Sequence, residues 1–94
     1  MCGIFAYLSK TTITKERQKQ LLEAAKLSKV RGPDSTVTRL IKDKMFLVFH
    51  RLAICGMSKL AEQPLVHPED ENLILMCNGE IYNWKALAKE NGFI

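Results

Sequence analysis

The sequence has no pair of cysteines close enough to share a small metal site. Its three cysteines, Cys2, Cys55 and Cys77, lie far apart and none has C-x-x-C spacing. The odd number and the wide spacing argue against a zinc site and a disulfide framework, so no metal ligands are expected. Free thiols suit a reducing, cytoplasmic compartment. No apolar run approaches the 18 or so residues that a membrane-spanning helix requires, so no membrane partner is expected. Residues 4–8 are too short for the apolar region of a signal peptide, and no basic residue precedes them. A Gly-rich phosphate loop is missing as well, which leaves dinucleotide and P-loop chemistry unsupported and no cofactor expected. Acidic residues are scarce early on. Between residues 10 and 31, seven basic side chains face only Glu16 and Glu23, with no aromatic among them. A nucleic-acid surface would pair such a stripe with aromatics or a known motif. The stripe is therefore read as a solvated helix face, and no nucleic-acid partner is expected.

What remains is the composition of one small globular domain. The chain has 94 residues, 47% hydrophobic and 26% charged, with a net charge of +4. A chain this short buries only about 60–65% of its unfolded surface. Residues 2–8 form an unbroken apolar run, the pattern of a strand buried on both faces. Thr14 is a candidate N-cap, with Glu16 in the first turn, and Leu21, Leu22, Ala24, Ala25 and Leu27 form a helical stripe. This helix is expected to end near Val30, because Gly32-Pro33 cannot continue it. In the tight loop Arg31-Gly32-Pro33-Asp34-Ser35, the glycine is read as a source of backbone freedom. Residues 36–42 and 45–51 read as a hairpin turning at Asp43-Lys44, with both faces of the second strand apolar and so covered. Residues 52–68 read as irregular. Residues 73–77 read as a further apolar strand, running into the Asn78-Gly79-Glu80 turn. Asn83 is a candidate N-cap for a short helix over 84–90, which Asn91-Gly92 would stop. The order strand, helix, strand, strand, strand, helix predicts an α+β layered fold.

Three polar clusters interrupt these apolar elements: Cys2, His50-Arg51 and Asn78-Gly79-Glu80. Aminopeptidases remove a methionine that precedes a small residue. Without Met1, Cys2 would carry a thiol and a free α-amine, whose ordinary pKa of about 7.7–8.0 makes it a usable base. Nucleophile and base would then come from one residue. Cys2 also reads as a small buried residue at the start of a core strand. Asn78 offers a side-chain NH₂ and Gly79 an accessible backbone N–H, a pair suited to an oxyanion hole, although the two also suit a plain β-turn. Arg51 suits bidentate binding of a carboxylate, or an ion pair with Asp34 or Glu80. Glu80 could accept a substrate ammonium or simply be solvated. His50 is read as a satisfied core histidine. A carboxylate clamp, an ammonium acceptor and a thiol together suit an amino acid with a reactive side-chain carbonyl.

Five stretches carry a likeness to a known family: Met1-Cys2-Gly3-Ile4, Arg31-Gly32-Pro33-Asp34, His50-Arg51-Leu52-Ala53-Ile54, Gln63-Pro64-Leu65 and Asn78-Gly79-Glu80-Ile81-Tyr82-Asn83. In this order the chain resembles the class II glutamine amidotransferases, and among them the glutaminase domain of asparagine synthetase. The resemblance implies an N-terminal nucleophile hydrolase fold of αββα layers. Residues 1–94 would hold about the first half of that domain, incomplete and without the synthetase domain. It implies that L-glutamine is the substrate and Cys2 the nucleophile, with Asn78 and Gly79 as the oxyanion hole. Arg51 would hold the glutamine carboxylate, assisted by backbone around Ile54 and Cys55, and Glu80 would meet the amino end. His50 and Asp34 match supporting positions. Trp84 stands where the family often has a histidine, and Cys55-Gly56 replaces an apolar–acidic pair. A truncated sheet would leave edges that seek a second copy or another chain. The alternative reading is a catalytically inactive remnant or interaction module of the same fold.

Overall fold

The computed structural model describes residues 2–52 and 62–94. Strand β1 (Gly3–Leu8) leads to helix α1 (Lys15–Ala25), which tightens into a 3-10 segment (Lys26–Arg31). Strands β2 (Ser35–Ile41) and β3 (Met45–Arg51) follow, then a second hairpin, β4 (Leu65–His67) and β5 (Asp70–Leu75), and finally helix α2 (Trp84–Glu90). The described strands form two antiparallel sheets, one of order β1-β3-β2 and one of β4-β5. The chain is thus a small α+β fold, as the element order implies.

Helix α1 starts where the sequence sets it. The Thr14 hydroxyl accepts the Arg17 N–H at 3.1 Å, satisfying a donor that the first turn cannot pair internally. The regular α-helix stops at Ala25, earlier than expected, and the 3-10 segment carries the turn on to Arg31. The basic side chains of α1 are exposed, as a solvated face requires, and Lys26 pairs with Glu23 at 2.8 Å.

The β2–β3 hairpin turns one residue earlier than the sequence suggested. Lys42 and Asp43 both adopt positive φ, 50° and 57°, and Lys44 N–H bonds to Ile41 O at 3.1 Å. This is the primed turn that hairpin twist favours, built without the usual glycine. Strand β3 lies central, paired on both sides, and Phe46 to Arg51 are all buried. Phe46 and Val48 join Ile13, Leu21 and Ala25 in the core under α1, with Phe5, Tyr7 and Leu22 packed at its margin.

Strand β1 departs from its expected burial on both faces. Phe5 and Tyr7 turn toward the α1 core, whereas Ile4 and Leu8 are 41% and 69% exposed. The side of the sheet away from α1 borders a groove of about 350 Å³, lined in part by Ile4, Leu47, Ile74 and Met76. Ile74 of the β4–β5 hairpin and Met76 just after it line this groove, so the hairpin approaches this face and covers it only partly. β4 lies in a stretch read as irregular, and β5 ends two residues short of the apolar run assigned to it. The C-terminal helix has the expected bounds, and Gly92 follows it at φ 76°, the left-handed stop.

Candidate active site

The site gathers at the end of the three-stranded sheet where β1 begins and β3 ends. Antiparallel pairing sets Gly3 opposite His50, so Cys2 lies beside the residues that leave β3. Its thiol is half-buried. Sγ accepts the Leu52 N–H at 3.4 Å and lies 3.8 Å from Leu52 O. The glycine after the cysteine has a packing reason. A Cβ at Gly3 would stand 2.6 Å from Ser28 O, so only glycine lets the 3-10 segment close onto β1.

That closure delivers Arg31. Its Nε–H donates to Cys2 O at 3.2 Å, holding the Cys2 backbone from the second motif. Arg31 belongs to the Arg31-Gly32-Pro33-Asp34 motif, but nothing in spacing alone links it to a residue 29 positions away. Gly32 serves the same approach. Its φ of −148° lies outside the left-handed region that favours glycine, so a positive φ is not its use. A Cβ there would collide with the backbone of His50 and Arg51. The loop is pinned to β3 by the Asp34 N–H, which donates to Arg51 O at 2.9 Å.

Asn78 reaches Cys2 from the loop after β5. Its Oδ1 accepts the Cys2 N–H at 3.2 Å. Because a backbone N–H can only donate, the oxygen must face Cys2, and the Nδ2 group is left as a donor. The structure therefore joins Cys2 and Asn78 directly. Gly79 and Glu80 follow in the same loop and are exposed, and Glu80 makes no ion pair among the described residues. Arg51, 8% exposed, ends β3 opposite Ser35. Ile54 and Cys55 lie outside the described residues.

His50 is a satisfied core histidine, as expected. It is 1% exposed. Its Nε2 lies 2.8 Å from Ala25 O, a group that can only accept, so Nε2 carries the proton. Nδ1 then accepts the Thr36 hydroxyl, also at 2.8 Å. The histidine thereby ties α1 to β2 beneath the site. Thr36→Val would leave Nδ1 buried without its donor, and an unsatisfied buried group costs about 1–3 kcal/mol. A chemical denaturation midpoint shifted by that amount is expected; an unchanged midpoint would show that the bond adds nothing.

A helix long and apolar enough to cross a membrane is absent among the described residues. The family model described as a glutamine amidotransferase domain matches residues 1–92. Over 90 residues the chain is 38% identical to asparagine synthetase [glutamine-hydrolyzing] 1 of Lotus japonicus, covering 96% of this chain and 15% of that protein. It is 37% identical over 92 residues to asparagine synthetase B [glutamine-hydrolyzing] of Escherichia coli (strain K12), covering 98% of this chain and 16% of that protein. A probable asparagine synthetase [glutamine-hydrolyzing] of Dictyostelium discoideum is 38% identical over 90 residues, 96% of this chain and 16% of its own. The chain spans only about 15% of the length of these relatives. With a family match over nearly its whole length, and with Cys2, Arg31 and Asn78 meeting at one sheet end, this chain belongs to the glutamine amidotransferase domain family.

Proposed function

We propose that residues 1–94 are the N-terminal part of a type 2 glutamine amidotransferase domain that hydrolyses the side-chain amide of L-glutamine, as in asparagine synthesis. The observation that supports this reading is the 3.2 Å bond between Cys2 N and Asn78 Oδ1, which brings a cysteine thiol and an amide donor onto neighbouring residues. Removal of Met1 frees the Cys2 amine. That amine takes the thiol proton, and sulfur attacks the amide carbon. The carbonyl oxygen gains negative charge in front of Asn78 Nδ2 and the Gly79 N–H. As the C–N bond breaks, the protonated amine returns its proton to the leaving group, and ammonia departs from a thioester. The amine then deprotonates water, which attacks the thioester, and the C–S bond breaks to give glutamate and the restored thiol. Arg51 holds the glutamine carboxylate with backbone near Ile54 and Cys55, and Glu80 meets the amino end. The fold is of the layered N-terminal nucleophile type, and the free thiols suit the cytoplasm.

The test is direct. Intact mass is expected to show loss of Met1, and the chain is expected to release ammonia from glutamine. Retained methionine would exclude the amine as base, and absence of turnover would leave the second reading, a non-catalytic module. One observation favours completion by a second copy or another chain in either case. Leu65, Leu73 and Leu75 share one face of the β4–β5 hairpin and are 39%, 57% and 57% exposed, an exposed apolar sheet face among the described residues.

A further inference from the structure

We propose that Gln63 is the positioning residue of the Asn78–Gly79 turn, acting as a side-chain rung that extends the β4–β5 ladder by one step. The inference rests on the reading of that turn as an oxyanion hole.

The β4–β5 register pairs Leu65 with Leu75 and Val66 with Ile74. Continued by two residues on each strand, it sets Gln63 opposite Cys77, just beyond the last ladder residue. Backbone pairing cannot simply continue there, because Pro64 intervenes and has no N–H to give. The Gln63 carboxamide supplies both partners instead. The Cys77 N–H donates to Gln63 Oε1 at 2.6 Å, and Gln63 Nε2–H donates to Cys77 O at 3.0 Å. An amide side chain carries the same acceptor and donor as a peptide group, so it can stand in for a strand.

The two bonds grip different peptide planes. Cys77 N belongs to the plane entering the residue, and Cys77 O to the plane leaving it. Each plane is rigid, so holding both fixes the two soft dihedrals between them. The leaving plane also carries the Asn78 N–H. Asn78 is therefore set in direction by Gln63 before its own side chain meets Cys2 N. No other described contact holds Cys77 by both its backbone groups, and Cys77 is itself exposed, so packing does not fix it.

The experiment compares Gln63→Ala and Gln63→Glu with the unmodified chain by amide hydrogen exchange, NMR of the Asn78 side chain and glutamine turnover. In the unmodified chain the Cys77 N–H is expected to be protected and the Asn78 Nδ2 protons to be sharp and shifted from the positions of a free asparagine amide. In Gln63→Ala the Cys77 protection falls at least about tenfold and the Asn78 pair broadens, while β3 amides stay protected. Turnover falls roughly 10- to 100-fold in kcat with KM little changed, the scale of a slightly misplaced catalytic group. Gln63→Glu keeps the shape and serves if the alanine variant does not fold. Ionised, it lacks the donor and sets a negative oxygen against Cys77 O; protonated, at a pH below the ordinary glutamate pKa of about 4.3, it again offers one donor and one acceptor. Cys77 protection is thus expected to return in Gln63→Glu at acid pH. Unchanged exchange in Gln63→Ala, or an unchanged Asn78 signal, overturns the proposal whether or not the chain turns over glutamine. Lost protection with unchanged kcat also overturns it. A chain that shows the spectroscopic changes but no turnover in any form supports the rung and refutes the proposed activity instead.

Discussion

Cys2→Ala is expected to abolish ammonia release from glutamine and leave the fold intact. The two consequences separate because of how Cys2 is held. Asn78 grips its backbone N and Arg31 its backbone O, and alanine retains both groups. Among the described residues the side chain makes two weak sulfur contacts, to Leu52 N at 3.4 Å and Leu52 O at 3.8 Å. It is half-buried and lies outside the core cluster under α1, so its loss leaves no large cavity. The denaturation midpoint should therefore move by no more than about 0.5 kcal/mol, the usual range for a change away from critical packing. The proposed reaction has no such reserve, since without the thiol there is no group to form its acyl intermediate. The exposed Cys77 provides an internal comparison, because its thiol persists in the variant. Turnover that survives Cys2→Ala would move the nucleophile elsewhere or the reaction off this chain; a variant that fails to fold would make Cys2 a structural residue after all.

The central part of the fold was legible because local chemistry announces it. Thr14 caps as a threonine before a polar first turn does, and the alternation of β3 between two apolar faces requires cover on both sides. His50 within that strand could only be satisfied internally, and it is. The residues that sequence reading left without a role act across long separations. Arg31 reaches Cys2 over 29 residues, and Gln63 reaches Cys77 across the β4–β5 hairpin. Neither carries a periodicity or a turn signal that reveals its partner. Gly32 was legible as a glycine site but for the wrong physical reason, since the backbone needs space there and no unusual φ. The burial of β1 was overread for a related reason. An apolar run shows that a strand can be covered on both faces, while the cover itself must come from other elements, and here β4 and β5 supply only part of it. The short β4 escaped notice because three residues after a proline carry too little pattern to separate a strand from a loop.

Asn78 is expected to give the second large effect, and two substitutions separate its two duties. Its Oδ1 anchors Cys2 N, and in the proposed reaction its Nδ2 stabilises the oxyanion. Asn78→Ala removes both. Loss of one oxyanion donor typically lowers kcat by about 10²–10³, or roughly 2.7–4 kcal/mol of transition-state stabilisation, and slackening of the Cys2 amine adds to it. Asn78→Asp keeps an oxygen for Cys2 N, and a carboxylate attracts the freed amine at least as well. It also removes the Nδ2 donor and sets a negative charge where the tetrahedral intermediate develops its own. The aspartate variant should therefore be no more active than the alanine variant, although its Cys2 is held as in the unmodified chain. Iodoacetamide labelling of Cys2 reads the anchoring alone and should stay near the unmodified rate in Asn78→Asp. If anchoring were the whole role of Asn78, the order would invert, with aspartate near full activity and alanine impaired. The ranking of these two kcat values thus decides whether Asn78 merely holds Cys2 or also takes part in the proposed chemistry.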